Sequence, residues 1–282
     1  MNNTIKTILL FGSFAAVLIA IGNYLGGFQG LVTMSILGIL INLGAYFFSD
    51  KIAIMTARAK PLDQSRFARI TQMVQDLAKK ADLPMPKLYL SPNPQPNAFA
   101  TGRNPQNAAV CVTEGLIKHL NQDEIKGVLA HELAHVKNRD ILIQTLAAVF
   151  GSIITSASYL LRFVSFGSDN QNRSALGDIA IIILAPIAAI IIQLAISRSR
   201  EYAADKTGAK IAGNPNGLAD ALGKIESLSK SGYLNPKTVN PAFENLYIAN
   251  PLGNQGITGA LSKLFSTHPP VKDRISKLRG LA

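Results

Sequence analysis

Two histidines, His131 and His135, stand four positions apart, and a glutamate, Glu132, directly follows the first. On an α-helix, residues four apart project from the same face, so both imidazoles can bind one metal ion. Two nitrogen ligands and an oxygen ligand suit Zn²⁺, which lowers the pKa of a bound water molecule to about 7. The carboxylate of Glu132 is then placed to take a proton from that water. The spacing therefore predicts hydrolytic chemistry at a zinc ion.

The segment that carries these residues has the signals of a helix. Residues 121–124 form a polar start with acidic groups at the positive end of the helix dipole. Apolar residues then recur at helical spacing, at Ile125, Val128, Leu129, Leu133 and Val136. The alternative is a buried or surface helix that carries two histidines and binds no metal. Residues elsewhere in the chain are needed to distinguish the two interpretations.

The composition indicates that part of the chain lies in a lipid bilayer. Of 282 residues, 48% are hydrophobic and 16% are charged, whereas about a quarter of a soluble domain is charged. Four segments carry no charge, and each is about as long as the roughly 17 to 25 residues that cross a bilayer as a helix. They are Ile8 to Leu25, Leu31 to Phe48, Ile141 to Leu161 and Ile179 to Ile196. We predict four transmembrane helices in two hairpins, with the first retained, since no small-residue cleavage pattern of a signal peptide follows it.

The charges predict the orientation of these helices. The net charge of +11 falls entirely on one side of the predicted membrane. By the positive-inside rule that side is the cytoplasm, so both termini and the HExxH helix face the cytosol. A basic chain can also bind nucleic acid, but no aromatic-rich basic patch or zinc-finger spacing supports that partner here. The single cysteine, Cys111, excludes an internal disulfide and cysteine-rich zinc sites.

A catalytic zinc ion needs a third protein ligand beside an open position for water. The longer pattern HExxHxxGxxH is excluded, because Asn138 and Ile141 occupy the positions of its glycine and last histidine. The best acidic candidate is Glu201, which follows the fourth predicted span. If the third and fourth spans are antiparallel neighbours, Glu201 and His135 lie at the same surface of the membrane. Asp205, four residues later, is placed to accept a hydrogen bond from a ligand histidine. The alternative is that Glu201 only pairs with a nearby basic residue.

The residues between the second and third spans predict a small soluble fold. Gln64 to Ala81 has the pattern of an amphipathic helix, while Lys87 to Leu90 and Asn107 to Thr113 have the pattern of strands. The predicted order is a helix, a small sheet and then the HExxH helix. An edge strand beside such a cleft can hydrogen-bond an extended peptide.

The ordered set of motifs resembles the HtpX-type heat-shock membrane zinc metalloproteases, relatives of the CaaX-prenyl endopeptidases. The resemblance covers nearly the whole length and is carried by HELAH at 131–135, SRSREYAAD at 197–205, NAFATG at 97–102, THPP at 267–270 and DRI at 273–275. It implies that one Zn²⁺ per chain is held by His131, His135 and Glu201, with Glu132 as the general base.

The resemblance gives weight to three further residues. It implies that Asn97 lies on the strand that holds substrate, and that His268 or Arg274 approaches the cleft to stabilise the oxyanion. From the residues alone, Asn97 and His268 read equally well as polar residues of ordinary loops and turns.

The expected fold is mainly α, a polytopic membrane protein with four transmembrane helices and a cytosolic gluzincin-like α+β domain that contains a small sheet. We expect a hairpin at 1–50, a catalytic part at 51–140, a second hairpin at 141–197 and a catalytic part with the third ligand at 198–282. The resemblance implies an endopeptidase of the bacterial inner membrane that hydrolyses damaged or misfolded membrane proteins at the cytosolic face. The alternative is a membrane assembly or binding factor that keeps a structural zinc and does not cut.

Overall fold

The structure is a computed structural model that describes residues 3–150, 153, 198–231 and 269–282. These residues are mainly helical and include one small sheet. In chain order the elements are α1 (Asn3–Thr56), β1 (Lys60–Pro61), α2 (Ala68–Lys80), β2 (Lys87–Ser91), β3 (Ala98–Thr101), a short 3-10 helix (Pro105–Asn107), β4 (Ala109–Thr113), α3 (Glu114–His119), α4 (Gln122–Lys137), α5 (Ile141–Phe150), α6 (Arg198–Ala212), α7 (Asn216–Lys230) and α8 (Val271–Arg279).

The first element, α1, is a hairpin of two apolar helices. Gly26 and Gly27 leave helical geometry, and Gly27 has a φ of 52°, which a residue without a Cβ adopts at little cost. The two arms, Ile5–Asn23 and Gly26–Thr56, are each long and apolar enough to cross a membrane. They correspond to the first two predicted spans. Of the other two, only residues 141–150 (α5) and 153 of the third are described, so the described part of the chain shows two spans where we expected four.

Small residues allow the two arms of α1 to pack closely. A Cβ at Gly22 would collide with the carbonyl oxygen of Gly30, and a Cβ at Gly30 would collide with that of Gly22. Farther from the bend, Nδ2 of Asn42 donates to the carbonyl oxygen of Phe11 at 3.3 Å. The arms therefore run antiparallel with their backbones in contact, as small residues permit in membrane helices.

Helix α5 packs against this hairpin. Its residues Leu146 and Phe150 share an apolar cluster with Leu10 and Phe14 of α1. The rings of Phe14 and Phe150 are stacked with their centroids 4.3 Å apart. The start of the third predicted span thus lies against the first.

The sheet has the strand order β1-β2-β4-β3. The central strands β2 and β4 are parallel, and β1 and β3 pair antiparallel at the two edges. The predicted strand at 87–90 is confirmed, with Ser91 added. The strand predicted at 107–113 begins only at Ala109. Residues Pro105–Asn107 form a 3-10 turn instead, which the side chain of Asn104 caps. The edge strand β3 packs beside α4.

Helix α4 is the central helix of the part outside the hairpin. The side chain of Asn121 accepts a hydrogen bond from the backbone N–H of Glu124, and the carboxylate of Glu124 accepts one from that of Asn121. This capping box satisfies two donors that would otherwise lack partners at the helix start. The five apolar residues selected from the sequence all lie in the main core, together with residues of α2, α6 and α7. The predicted HExxH helix is confirmed.

Helix α6 comes so close to α4 that no side chain fits at the contact. A Cβ at Gly208 would lie 2.9 Å from the Cα of His131, well inside the roughly 3.5–4.0 Å at which carbon atoms pack. Gly208 therefore sets the distance between the two helices that carry the candidate metal ligands.

We expect Gly208→Ala to lower the free energy of unfolding by about 1–3 kcal/mol, because the added methyl group overpacks this contact. Gly223→Ala on α7 is the matched control, since a Cβ there meets only Cδ1 of Ile275 at 3.7 Å. In a helix, alanine is favoured over glycine by about 1 kcal/mol, so the control should be neutral or more stable. Thermal unfolding of the full chain in detergent measures both variants. An unchanged melting temperature for Gly208→Ala would contradict the close approach.

Candidate metal centre

Three buried side chains from α4 and α6 point at one place. Nε2 of His131 lies 3.2 Å from Nε2 of His135. Glu201 brings Oε2 to 3.7 Å from Nε2 of His131 and Oε1 to 3.5 Å from Nε2 of His135. The structure thus brings together the three residues that the sequence analysis selected as ligands, with their ligand atoms all within 4.8 Å of one another.

These separations fit a tetrahedral metal ion. With bonds of about 2.0–2.1 Å, two ligand atoms of a tetrahedral site stand roughly 3.3 Å apart. The observed distances of 3.2, 3.5 and 3.7 Å lie close to that value. Two imidazoles and one carboxylate are also a ligand set of catalytic zinc sites, which keep a fourth position open.

Each of the two histidines has a carboxylate behind its ring. Nδ1 of His131 lies 3.0 Å from Oδ1 of Asp205, although the approach is too oblique for a well-formed hydrogen bond. Nδ1 of His135 lies 3.4 Å from Oδ2 of Asp140. Carboxylates in this position orient a metal-bound imidazole and raise its basicity. Asp205 therefore lies beside His131, and the hydrogen bond expected between them stays a prediction.

The sequence analysis missed Asp140. This residue is buried and directly precedes α5. The backbone reverses at Arg139, which has a φ of 58°, and the N–H of Asp140 then donates to the carbonyl oxygen of His135 at 2.9 Å. An acidic residue five positions after the second histidine was the available signal. The carboxylate of Asp140 reaches Nδ1 of His135 because Arg139 adopts a left-handed backbone conformation, which the spacing alone does not indicate.

Arg274 ties α8 to the metal centre. Its side chain is fully buried, and its Nε and Nη2 donate to the two carboxylate oxygens of Asp205 at 2.9 and 2.7 Å. Nη2 also lies 3.5 Å from Nε2 of His131. A bidentate pair of this kind fixes both partners in orientation. Arg274 therefore holds the carboxylate that faces His131, and its contact with a transition state stays a prediction.

Glu132 lies between the metal centre and the edge of the sheet. Its Oε2 accepts a hydrogen bond from the backbone N–H of Ala100 in β3 at 2.9 Å. The antiparallel register pairs Ala100 with Val110, and the hydrogen bond from Thr113 N to Asn97 O makes this a non-hydrogen-bonded pair. The polar groups of Ala100 thus face away from β4, toward the side of β3 on which the described residues place no further strand. Burial raises the pKa of Glu132 to about 7, against the opposing effects of His135 and the Ala100 N–H.

Burial and close charges set the protonation of the other groups. Burial lowers the pKa of His131. For His135 burial has the same effect, but the hydrogen bond with Asp140 and the charge of Glu201 outweigh it, so its pKa is raised. Burial of Asp205 is outweighed by the charge of Arg274, which holds the pKa of that carboxyl below its usual value. Asp205 is therefore an anion at neutral pH.

Asn97 and His268 are the two remaining predicted contact residues. Asn97 is buried directly before β3, and its backbone N–H donates to Oγ1 of Thr113 at 2.9 Å. His268 lies outside the described residues. The roles of both in substrate or transition-state binding stay predictions.

Comparison with known proteins identifies the family. The sequence profile of peptidase family M48 matches residues 64–282. The chain belongs to peptidase family M48. It is 48% identical to a "Protease HtpX homolog" of Pelotomaculum thermopropionicum, with 100% of both chains covered. It is 45% identical to another of Thermococcus sibiricus, with 99% of this chain and 96% of that one covered.

The M48 chain also has the fold of a protein of known structure. The crystal structure of S. mikatae Ste24p matches with a TM-score of 0.51 at 19% identity, over 98% of this chain and 65% of that one. This likeness shows the fold. The family and the full-length relatives make the chain a metalloprotease, so the expected resemblance to the HtpX type is confirmed. They do not favour the alternative of a membrane factor that does not cut.

We expect Asp140→Asn to weaken metal binding about 10- to 100-fold, because His135 loses the carboxylate that orients its ring. Asp123→Asn makes the same change at an exposed position of α4 and should bind metal like the wild type. Competition for Zn²⁺ against a chelating dye measures both affinities. Equal affinities of the two variants would contradict the role of Asp140.

We expect Arg274→Gln to cost about 3–5 kcal/mol of folding stability, because it leaves the buried Asp205 without its counter-charge. Arg279→Gln on the same helix removes an exposed pair with Asp220 at 3.4 Å, which should cost at most about 1 kcal/mol. Melting of the metal-free proteins in detergent compares them. A similar loss of stability in both variants would show that the buried pair of Arg274 and Asp205 stabilises the fold no more than an exposed pair does.

Proposed function

We propose that this M48 metalloprotease is a zinc-dependent, membrane-bound endopeptidase that uses Glu132 as its general base. The single observation that carries the proposal is the convergence of His131, His135 and Glu201 at tetrahedral spacing, directly beside Glu132. The fit of these donors favours one Zn²⁺ per chain. When bound there, Zn²⁺ supplies a Lewis acid that polarises a peptide carbonyl and lowers the pKa of water to about 7.

Glu132 takes the proton from the attacking water and passes it to the leaving amine nitrogen. Both transfers require a carboxylate that gains and loses a proton readily near neutral pH. The burial that raises its pKa to about 7 supports that task. The N–H of Ala100 holds its Oε2 at 2.9 Å and so fixes the direction from which the carboxylate reaches the substrate.

The substrate is an extended segment of a protein, which pairs with the open edge of β3. The carbonyl group of Ala100 faces that edge, while its N–H is bonded to Glu132. Added strands bind such edges through main-chain hydrogen bonds. Because Ala100 also contacts Glu132, a peptide on this edge passes within reach of the base. Main-chain recognition requires little of the substrate's sequence, which suits an enzyme that removes damaged proteins.

The apolar hairpin α1 supports a location in the membrane. Its arms have the length and composition of spans, and large apolar side chains such as Ile8, Ile39 and Leu40 are exposed on them. We propose the full arrangement expected from the sequence: four spans, the domain division at 50, 140 and 197, and a cytoplasmic active site and termini at the bacterial inner membrane. Damaged or misfolded membrane proteins are the proposed substrates, since their loops and tails meet an active site at the bilayer surface.

We expect Glu132→Gln to keep bound zinc and to lose cleavage by at least about a hundredfold, because only the proton acceptor is removed. Glu201→Ala should lose both zinc and cleavage, whereas Glu114→Gln, at an exposed position, should lose neither. Zinc per chain is measured by elemental analysis, and cleavage by release of peptides from unfolded casein with and without a chelator. Full activity of Glu132→Gln would overturn the mechanism, and full zinc in Glu201→Ala would overturn the ligand assignment.

A further inference from the structure

The small sheet lies along the second arm of α1, at the end away from the hairpin bend. Oγ of Ser91, the last residue of β2, donates to the carbonyl oxygen of Ala57 at 2.6 Å, one residue after α1 ends. Phe99 of β3 shares an apolar cluster with Ala53, about one helical turn nearer the bend. The sheet and this arm therefore pack side by side.

The register shows that β3 runs toward the hairpin bend. Ser91 is paired with Thr113, whose N–H donates to the carbonyl oxygen of Asn97 at 3.0 Å, so β3 starts beside the end of α1. Arg103, two residues after β3, has its guanidinium carbon 5.5 Å from the ring centroid of Phe47. Phe47 lies about 14 Å nearer the bend than the end of α1. The last residue of β3 is therefore the one closest to the bend.

The residues around Phe47 mark where α1 leaves the hydrocarbon, if the hairpin crosses a bilayer as proposed above. The uncharged run of the second arm ends at Phe48, and Asp50 and Lys51 are the first charges after it. Nζ of Lys51 lies 5.2 Å from the ring centroid of Phe48. Charges are costly inside the hydrocarbon, and long cationic side chains near helix ends extend to the interface. The boundary of the hydrocarbon is therefore level with Phe47 and Phe48.

The first arm of α1 gives the same boundary. The arms are antiparallel, and Nδ2 of Asn42 donates to the carbonyl oxygen of Phe11. Lys6 precedes Phe11 by five residues. Phe47 follows Asn42 by the same number, so Lys6 and Phe47 lie at one level. Lys6 is the one charged residue of the candidate span Ile5–Asn23, which also places it at the boundary.

Helix α5 connects β3 to this boundary directly. It begins beside the metal centre and so enters from the same side as the first arm. Its Phe150 packs edge to face with Phe11, with the ring centroids 5.9 Å apart. Thr145 precedes Phe150 by five residues and is therefore level with Lys6. Oγ1 of Thr145 lies 3.1 Å from Oγ1 of Thr101, the last residue of β3. Contacts with α1 and with α5 thus both place the end of β3 at the boundary.

The base Glu132 therefore lies at the depth of the lipid headgroups. Its Oε2 is bonded to the N–H of Ala100, one residue before Thr101, and a strand advances only about 3.3 Å per residue. The headgroup region on each side of a bilayer is about 5–8 Å thick. The carbonyl group of Ala100 faces the side of β3 on which the described residues place no further strand. A peptide that binds there pairs with β3 as soon as it leaves the hydrocarbon.

We propose that this enzyme cuts membrane proteins within about five residues of the end of a transmembrane helix, where the chain is extended. The proposal rests on the proposed function and adds the position of the cut. Five extended residues span about 16 Å, which reaches from the boundary past Ala100. A substrate whose helix continues out of the bilayer keeps its main-chain groups bonded within the helix and cannot pair with β3. The substrates are therefore membrane proteins that have lost, or never formed, regular structure next to a span.

The depth of β3 is measured with the full-length protein in liposomes. Arg103→Cys and Glu114→Cys each receive one fluorophore, in a background where the buried Cys111 is replaced by alanine. Glu114 is exposed and directly follows Thr113, which is level with the start of β3. Lipids that carry a quencher in the headgroup should quench the label at position 103 at least about threefold more strongly, because the two ends of β3 differ in level by about 13 Å.

The position of the cut is measured with the wild-type enzyme in the same liposomes, so that this part of the test needs no substitution. The substrates have one transmembrane helix and an unstructured tail. Each tail carries one sequence at which the enzyme cuts unfolded casein, placed about 3 or about 30 residues beyond the helix. The nearer sequence should be cut at least about tenfold faster, because the effective concentration of a tethered segment falls steeply with the length of its tether.

Three results would overturn the proposal. Equal quenching of the labels at positions 103 and 114 would show that β3 does not run toward the bilayer. Cleavage of the farther sequence as fast as the nearer one would show that the site does not act next to the membrane, and so would cleavage of casein but of neither tail. If the wild-type enzyme does not cut casein in detergent, the proposed function fails instead, and the labels still decide the depth of β3.

Discussion

The close contact of α6 with α4 is the constraint on which the whole centre depends. Glu201, Asp205 and Gly208 stand at positions i, i+4 and i+7 of α6, so they share one face of the helix. Glu201 is the candidate metal ligand on that face, Asp205 places its carboxylate opposite His131, and Gly208 leaves a gap because it has no side chain. The gap lets the backbone of α6 reach His131, because a Cβ at Gly208 would lie 2.9 Å from its Cα. One face of α6 thus carries the candidate ligand Glu201 and the carboxylate of Asp205, and through Gly208 it also sets the distance between α6 and α4.

The buried carboxylates around this contact outnumber the cation that pairs with them. Glu132, Glu201 and Asp205 are buried carboxylates, and Arg274 is the buried cation that contacts two of them. Ionised together, they leave two negative charges in a region from which water is excluded, which costs several kcal/mol per unpaired charge. A Zn²⁺ ion held by the histidines and Glu201 would offset both. The charges and the ligand distances therefore both favour a metal at this place.

The parts of this centre that could be predicted from sequence are those set by local periodicity or by topology. The spacing of His131 and His135 fixes a shared helix face, and the return of the chain after the fourth predicted span indicated Glu201. The contact of Ala100 with Glu132 could not be predicted, because every residue but proline offers the same backbone N–H. Arg274 lies 69 residues from Asp205, and no local pattern marks it as buried, so only the family resemblance selected it. Asp140 was missed because its contact depends on the positive φ of Arg139.

Helix α5 couples the catalytic groups to the apolar hairpin. It begins directly after Asp140, whose carboxylate faces His135, and it packs against α1 through Phe150. Oγ1 of Thr145 on the same helix lies 3.1 Å from Oγ1 of Thr101 in β3, the edge strand that reaches Glu132 through Ala100. A shift of α5 along α1 therefore moves the carboxylate behind a metal ligand and the strand beside the base together. The same helix thus contacts the apolar hairpin, the carboxylate that faces His135 and the strand beside Glu132, so the hairpin and the metal centre share one packed core.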